Sequence, residues 1–314
     1  MPEIAIRVKG LRKSYGEFVA VREISLEVER GKVMAFLGPN GAGKTTTTEI
    51  LEGFRVRDAG EVEVLGEDPA HADRDWRERI GVVLQQCRIT PQLSVRETLD
   101  LYAGYYRDPR SVPDTIELVG LGEKAGARAG SLSGGQQRRL DVAVALIGNP
   151  ELLFLDEPTT GFDPTARRQA WEVIANLREL GTTTFLTTHY MEEAQALADR
   201  AMIIARGEVV AEGRPSELGG REGDPPTLSF VLPLGLGLSD LPSRLAPRAR
   251  LRGGSVEAAL DEPAATLHEL SGWALERGIE LEGLELRRPS LEDVYLRLTG
   301  QLDHDPPPGK AALG

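Results

Sequence analysis

Apolar and polar residues alternate at Ile4, Ile6 and Val8 and again at Ile24, Leu26 and Val28, a period of two that predicts two half-buried strands forming an antiparallel edge. Val33 to Leu37 is instead a continuous apolar run that meets Gly38 directly, as a buried strand does. The residues after Gly43 have helical potential until Gly53 stops them. From about residue 88 to 148 the pattern turns helical. Ser94 and Glu97 form a capping-box pair, and Leu99, Tyr102, Tyr105 and Tyr106 recur at helical spacing, so a helical subdomain is expected as an insertion. Short apolar strands then alternate with helices at Leu152 to Leu155, Thr183 to Thr187 and Ala201 to Ala205, the pattern of a mainly parallel sheet. Arg206-Gly207 predicts a hairpin leading into Val209 and Val210.

Beyond Leu218 the composition shifts to Gly219-Gly220 and Pro225-Pro226, which marks a linker. Residues 1–218 are read as one domain and residues 219–300 as a small α+β domain. The second contains a strand at Leu228 to Leu232, a helix from Ala264 to Arg277 and an alternating strand through Ile279, Leu281 and Leu284. Ser290 opens a last helix with Leu291, Val294, Tyr295 and Leu298 on one face. The tail, residues 301–314, is expected to be disordered.

Composition narrows the function classes. The 314 residues carry 37 basic and 49 acidic side chains, a formal net charge of −12, which argues against a free-standing nucleic-acid binder. A single cysteine, Cys87, excludes an intrachain disulfide framework and fits a reducing compartment. No segment approaches the roughly 18 consecutive apolar residues of a membrane span, so any spanning belongs to another chain.

The chemistry is concentrated at three places. Gly38-Pro39-Asn40-Gly41-Ala42-Gly43-Lys44-Thr45, with Thr46 following, lies between a strand and a helix; its glycines let backbone N–H groups converge on phosphate oxygens at the helix's positive end. In this motif Lys44 faces the β- and γ-phosphates of ATP and the Thr45 hydroxyl faces Mg²⁺. Leu152 to Leu155 is too apolar for anything but a sheet centre, and Asp156 ends it where ligands of open α/β sheets bind. Asp156 is placed to hold Mg²⁺, and Glu157 to orient or deprotonate an attacking water. Ser133, Gly134, Gly135 and Gln136 open a further helix bearing Leu140, Val144 and Ile147, which creates a second anion-binding helix N-terminus. His71, His268 and His304 have no comparable setting, and no protein-only metal site is expected.

With Leu132-Ser133-Gly134-Gly135-Gln136 set between the phosphate loop and Asp156-Glu157, residues 4–217 resemble the nucleotide-binding subunit of an ATP-binding cassette (ABC) transporter. The resemblance implies a P-loop NTPase fold, α/β, with a mixed sheet, an antiparallel edge and an inserted helical subdomain. Tyr15 then matches the aromatic that stacks on adenine, and Gln85 the glutamine that senses Mg²⁺ and the attacking water. Asp163 matches the loop that crosses to a partner subunit, and His189 the switch histidine that bonds the γ-phosphate. The family further implies a head-to-tail homodimer with ATP between Lys44 of one copy and Ser133-Gly134-Gly135 of the other. It implies a separate integral membrane permease and a cytoplasmic position on the inner face of the cell membrane. Arg288-Pro289-Ser290-Leu291-Glu292-Asp293-Val294-Tyr295-Leu296 resembles the C-terminal segment of daunorubicin-type drug-resistance exporters, which points to export of a drug, antibiotic or lipid-like compound. An uptake-system ATPase and a soluble, non-transport ABC ATPase are the alternatives.

Overall fold

The computed structural model describes residues 3–83, 89–218, 225–233 and 235–287. Gln85, the helix opened by Ser290 and the tail lie outside them. The chain divides into two compact units, Met1–Pro215 and Ser216–Gly314.

In the first unit the strands are β1 (Ile4–Tyr15), β2 (Phe18–Glu29), β3 (Val33–Leu37), β4 (Ala59–Val64), β5 (Ile80–Val83), β6 (Leu152–Asp156), β7 (Thr183–Thr188), β8 (Arg200–Ala205) and β9 (Glu208–Gly213). They form a nine-stranded mixed sheet in the order β4-β1-β2-β9-β8-β3-β7-β6-β5. The centre, β8-β3-β7-β6-β5, is parallel, while β1 pairs antiparallel with both β2 and β4 at the far edge. The edge is larger than the alternation suggests. β1 and β2 each run for 12 residues, and β4, absent from the sequence reading, joins on the outer side. Between β8 and β9, Arg206 and Gly207 have φ of 52° and 80°, the left-handed pair that a two-residue hairpin turn requires.

Every side chain of β3, β6 and β7 is buried. Phe36, Phe185 and Phe154 meet across these three strands as tilted pairs with centroids 5.4 and 5.9 Å apart, within the main core. β7 is unusual in burying four threonines. Three of the hydroxyls have defined tasks: Thr183 Oγ1 accepts from the Gly31 N–H, Thr187 Oγ1 donates to Asp156, and Thr188 Oγ1 accepts from the Tyr190 N–H. Hydrogen bonds of this kind make polar atoms tolerable in a sheet centre.

The helices are α1 (Lys44–Leu51), α2 (Arg74–Glu78), α3 (Val95–Ala103), α4 (Val112–Leu118), α5 (Gly134–Leu146), α6 (Pro164–Glu179), α7 (Met191–Leu197) and α8 (Pro215–Leu218). α3, α4 and α5 occupy the stretch read as a helical insertion. Both bonds of the Ser94–Glu97 capping box are present at the start of α3. The helix ends at Ala103, so Tyr105 and Tyr106 lie beyond it and the apolar stripe is shorter than the spacing implied. On α5 the inward face includes Leu140, Ala143 and Leu146, with Val144 only half-buried.

The second unit has a four-stranded antiparallel sheet, β11-β12-β10-β13, formed by β10 (Thr227–Val231), β11 (Arg250–Arg252), β12 (Ser255–Ala259) and β13 (Glu285–Arg287), together with α9 (Pro263–Glu276). Leu228, Phe230, Val256, Ala258 and Leu270 are the centre of its core. Ile279 and Leu281 are not in a strand. They pack half-buried in the turn after α9, and the last strand begins only at Glu285.

Candidate active site

The loop between β3 and α1 is built by close approach. A Cβ on Gly38 would lie 2.5 Å from the Ile204 carbonyl oxygen, and one on Gly43 would lie 2.5 Å from the Ala20 oxygen. Gly43 also has φ 104°, a conformation that side chains other than glycine rarely adopt. Ala42 N donates to Pro39 O at 3.1 Å, which closes the turn, while Asn40, Gly41 and Thr45 face solvent and Thr46 is half-buried.

Lys44 is buried within this turn. Its Nζ donates to the carbonyl oxygens of Gly38 at 2.7 Å and Pro39 at 3.3 Å, and lies 3.7 Å from Glu157 Oε1. Burial lowers its pKa, opposed by the charges of Glu157 and Asp156. A cation folded into its own loop is a counter-charge that phosphate oxygens can claim.

Asp156 ends β6, buried beside β7. Burial raises its pKa; the bond from Thr187 Oγ1 opposes that shift, and the neighbouring Glu157 charge adds to it. Glu52, at the end of α1, is 4% exposed and is pushed up to about 8 by burial, with Asp156 and Glu49 contributing. It is therefore largely neutral at pH 7 and adds little negative charge beside Asp156. Thr45 and Asp156 offer hard oxygen donors, too few for a protein cage. They suit a Mg²⁺ ion that keeps waters and phosphate oxygens in its shell.

Glu157 has φ 45°, left-handed for a residue with a Cβ. Its N–H is held by Thr187 O and Thr187 Oγ1, both at 3.1 Å, and Thr160 Oγ1 donates to its Oε2 at 3.1 Å. Strain of this kind persists where surroundings over-determine it, characteristically at functional sites. His189, just after β7, places Nδ1 3.3 Å from Glu157 Oε1. That is ion-pair range, yet the buried nitrogen makes no hydrogen bond. The imidazole packs on the Tyr190 ring at 4.1 Å between centroids. Lys44, Glu157 and His189 thus converge from three segments far apart in sequence, and Asp156 stands at the same strand end.

The remaining candidates among the described residues are exposed or half-buried. Ser133 and Gln136 complete a capping box at the start of α5, and Gly134 has open space where a Cβ would be. Asp163 caps α6 by accepting from Thr165 N and Ala166 N, both at 2.9 Å. Among the described residues, no hydrogen bond or ion pair joins these groups to the phosphate loop. Tyr15, 40% exposed at the end of β1, has Arg55 Cζ 5.2 Å from its ring centroid. Gln85 lies outside the described residues.

Two supporting residues escaped the sequence reading. Thr187 organises both acids, and Arg138 of α5 donates to the carbonyl oxygens of Asp156 at 2.9 Å and Pro158 at 3.2 Å. Thr187 could have been suspected from a buried strand ending in hydroxyls. Arg138 resembles any helical arginine in sequence, and only the fold brings it to β6.

Known proteins are similar to this chain over both of its units. A profile of the ABC transporter family matches residues 21–160, and one described as the C-terminal domain of ABC transporter domain-containing protein-like chains matches residues 226–290. The Nod factor export ATP-binding protein I of Paraburkholderia xenovorans is 39% identical over 306 residues, covering 96% of this chain and 99% of that protein. Its counterpart in Ralstonia nicotianae is 40% identical over 309 residues, covering 94% of each. Among solved structures, a Clostridium perfringens cassette described as part of an ABC transporter complex matches at 25% identity and TM-score 0.64, covering 69% of this chain and 90% of that one. A dimeric cassette in a post-hydrolysis state with ADP and Pi matches at 28% identity and TM-score 0.59, covering 67% of this chain and 98% of that one. Among the described residues no helix is long and apolar enough to cross a membrane. Phosphate loop, strand-end acids and near full-length relatives lead to one assignment: the chain belongs to the ATP-binding proteins of ABC transporters, a family of ATPases.

Proposed function

We propose that this ATPase powers an exporter, as a homodimer on the inner face of the cell membrane coupled to a separate permease. The observation that carries the dimer is the exposed N-terminus of α5. It has the hydrogen-bonding character of an anion site, yet no hydrogen bond or ion pair among the described residues ties it to the phosphate loop of its own chain. A second copy, head to tail, gives Ser133, Gly134, Gly135 and Gln136 a phosphate to meet, and gives Asp163 a partner surface. The dimeric cassette among the similar structures supports the same arrangement.

In this reading residues 1–218 form the cassette and residues 219–300 a regulatory cap, followed by the tail at 301–314. Tyr15 stacks on adenine, the loop from Gly38 to Thr46 cradles the phosphates, and Lys44 leaves its carbonyl partners for them. Thr45, Asp156 and Gln85 would hold Mg²⁺, which would neutralise phosphate charge. Glu157 takes a proton from water as the water oxygen bonds to the γ-phosphorus; the bond from phosphorus to the bridging oxygen breaks, giving ADP and phosphate. His189 holds the γ-phosphate. Removing that group loosens the seam between the copies, a ligand-biased interface switch.

The relatives' name, Nod factor export, favours export over uptake and lends no support to a drug or antibiotic cargo. Glu157→Gln tests the reading. ATP binding should persist, turnover should fall by at least about 100-fold, and an ATP-bound dimer should accumulate on gel filtration. Normal turnover, or a monomer under saturating ATP, would count against it. Transport direction in vesicles carrying the co-purified permease separates export from uptake.

A further inference from the structure

Glu193, on α7, is completely buried, and an acid in such a place needs a reason. Its Oε1 accepts two hydrogen bonds, from Thr159 Oγ1 at 3.0 Å and from Trp171 Nε1 at 3.2 Å. Thr159 is two residues beyond Glu157, and Trp171 lies on α6, the helix that Asp163 caps. Four residues before Glu193 is His189. Thr188, at the end of β7 and next to His189, also faces the carboxylate.

A second contact joins the same parts. Arg167 of α6 sets its guanidinium carbon 4.3 Å from the Tyr190 ring centroid, and that ring carries His189 on it. α6 is therefore fastened to the histidine segment through a cation on an aromatic face, through the Glu193 carboxylate and, at 4.0 Å, through the Arg167–Glu192 ion pair. Burial raises the Glu193 pKa, against the Thr188 and Thr159 hydroxyls, the Trp171 indole and the Arg167 charge, which favour ionisation. Burying a carboxylate is costly even when it is hydrogen-bonded, so fold stability alone is a weak reason for the acid.

We infer that Glu193 is a positioning residue for hydrolysis, binding the segment after Glu157, the helix capped by Asp163 and the helix after His189 into one unit. The inference rests on the roles proposed above for Glu157 and His189, and adds a device that fixes their separation. Displacement of a reacting group by about 1 Å can cost as much as 100-fold in rate. Loss of this tie therefore falls on turnover and leaves the phosphate loop untouched.

The test is steady-state ATPase kinetics on the full chain. Glu193→Ala should lower kcat by about 10-fold or more, with KM for ATP within about 2-fold and ATP-dependent dimerisation intact when combined with Glu157→Gln. Glu193→Gln, whose amide oxygen can replace Oε1, should recover kcat to within about 2-fold of wild type. If Glu193→Ala fails to fold, Thr159→Val and Trp171→Phe remove the two donors singly, and each should lower kcat with KM unchanged. Wild-type kcat in the foldable variants, or parallel loss of kcat and ATP affinity, overturns the inference. Glu157→Gln alone keeps the two readings apart. If it turns over normally the assignment of the base fails; if it is inactive while Glu193→Ala is normal, only the tie fails.

Discussion

Lys44 and Glu157 face each other at 3.7 Å across the mouth of the phosphate loop, a buried cation and a nearly buried anion. Their attraction helps hold the lysine in the loop, and on the proposed function an incoming triphosphate would compete with it. Binding therefore exchanges one set of charge-assisted contacts for another.

Lys44→Ala removes the cation from that exchange. Loss of hydrogen bonds to a charged group weakens nucleotide binding by about 10- to 100-fold. Isothermal titration with a non-hydrolysable analogue is the check, and unchanged affinity would exclude a phosphate-facing lysine.

Thr187→Val keeps the shape of β7 and deletes the hydroxyl that serves both Asp156 and the Glu157 N–H. A stability loss of about 1–3 kcal/mol is expected from the unpaired groups, measurable by urea unfolding. Because that hydroxyl opposes the upward shift of the Asp156 pKa, its removal raises the pKa further. The ionised form is then lost at higher pH on acidification, so the acid limb of the ATPase profile should move upward.

Gly43→Ala places a methyl group against the Ala20 carbonyl in a left-handed backbone. The expected cost is about 1–3 kcal/mol or more, with ATP affinity reduced as well. A variant with wild-type melting temperature and affinity would show that the loop is not held by this approach.

Asp68 receives two 2.7 Å bonds from Arg57, which are the main reason its pKa falls from 3.8 to about 2. A folded pKa below the unfolded one means that the contribution is complete above 3.8 and disappears as pH falls through about 2. Solvent reaches a third of the side chain, so the pair contributes no more than about 1 kcal/mol. Asp68→Asn should therefore unfold at lower urea than wild type at pH 7, and the difference should close between pH 4 and pH 2.

The site was legible in sequence wherever chemistry and burial coincide along the chain. An apolar run ending in Asp156-Glu157, and a glycine loop after another such run, leave few alternatives, and both stand at strand ends in the parallel sheet. β4 was missed because Ala59, Gly60 and Glu61 are exposed, and only Val62 and Val64 alternate inward. The α3 stripe was overextended because tyrosines in the following turn kept a helical spacing. Glu193 gave no signal at all. It follows Glu192 and looks like half of a solvated acidic pair, and only the packing of α7 against α6 and the sheet separates the exposed carboxylate from the buried one.

Arg138 grips the main chain at Asp156 and Pro158 from a helix that begins at Ser133. One guanidinium thus bonds the helix that Ser133 caps to the main chain at the end of the strand carrying the acids. A shift of that helix relative to the strand must break those bonds or carry the backbone beside Asp156 and Glu157 with it.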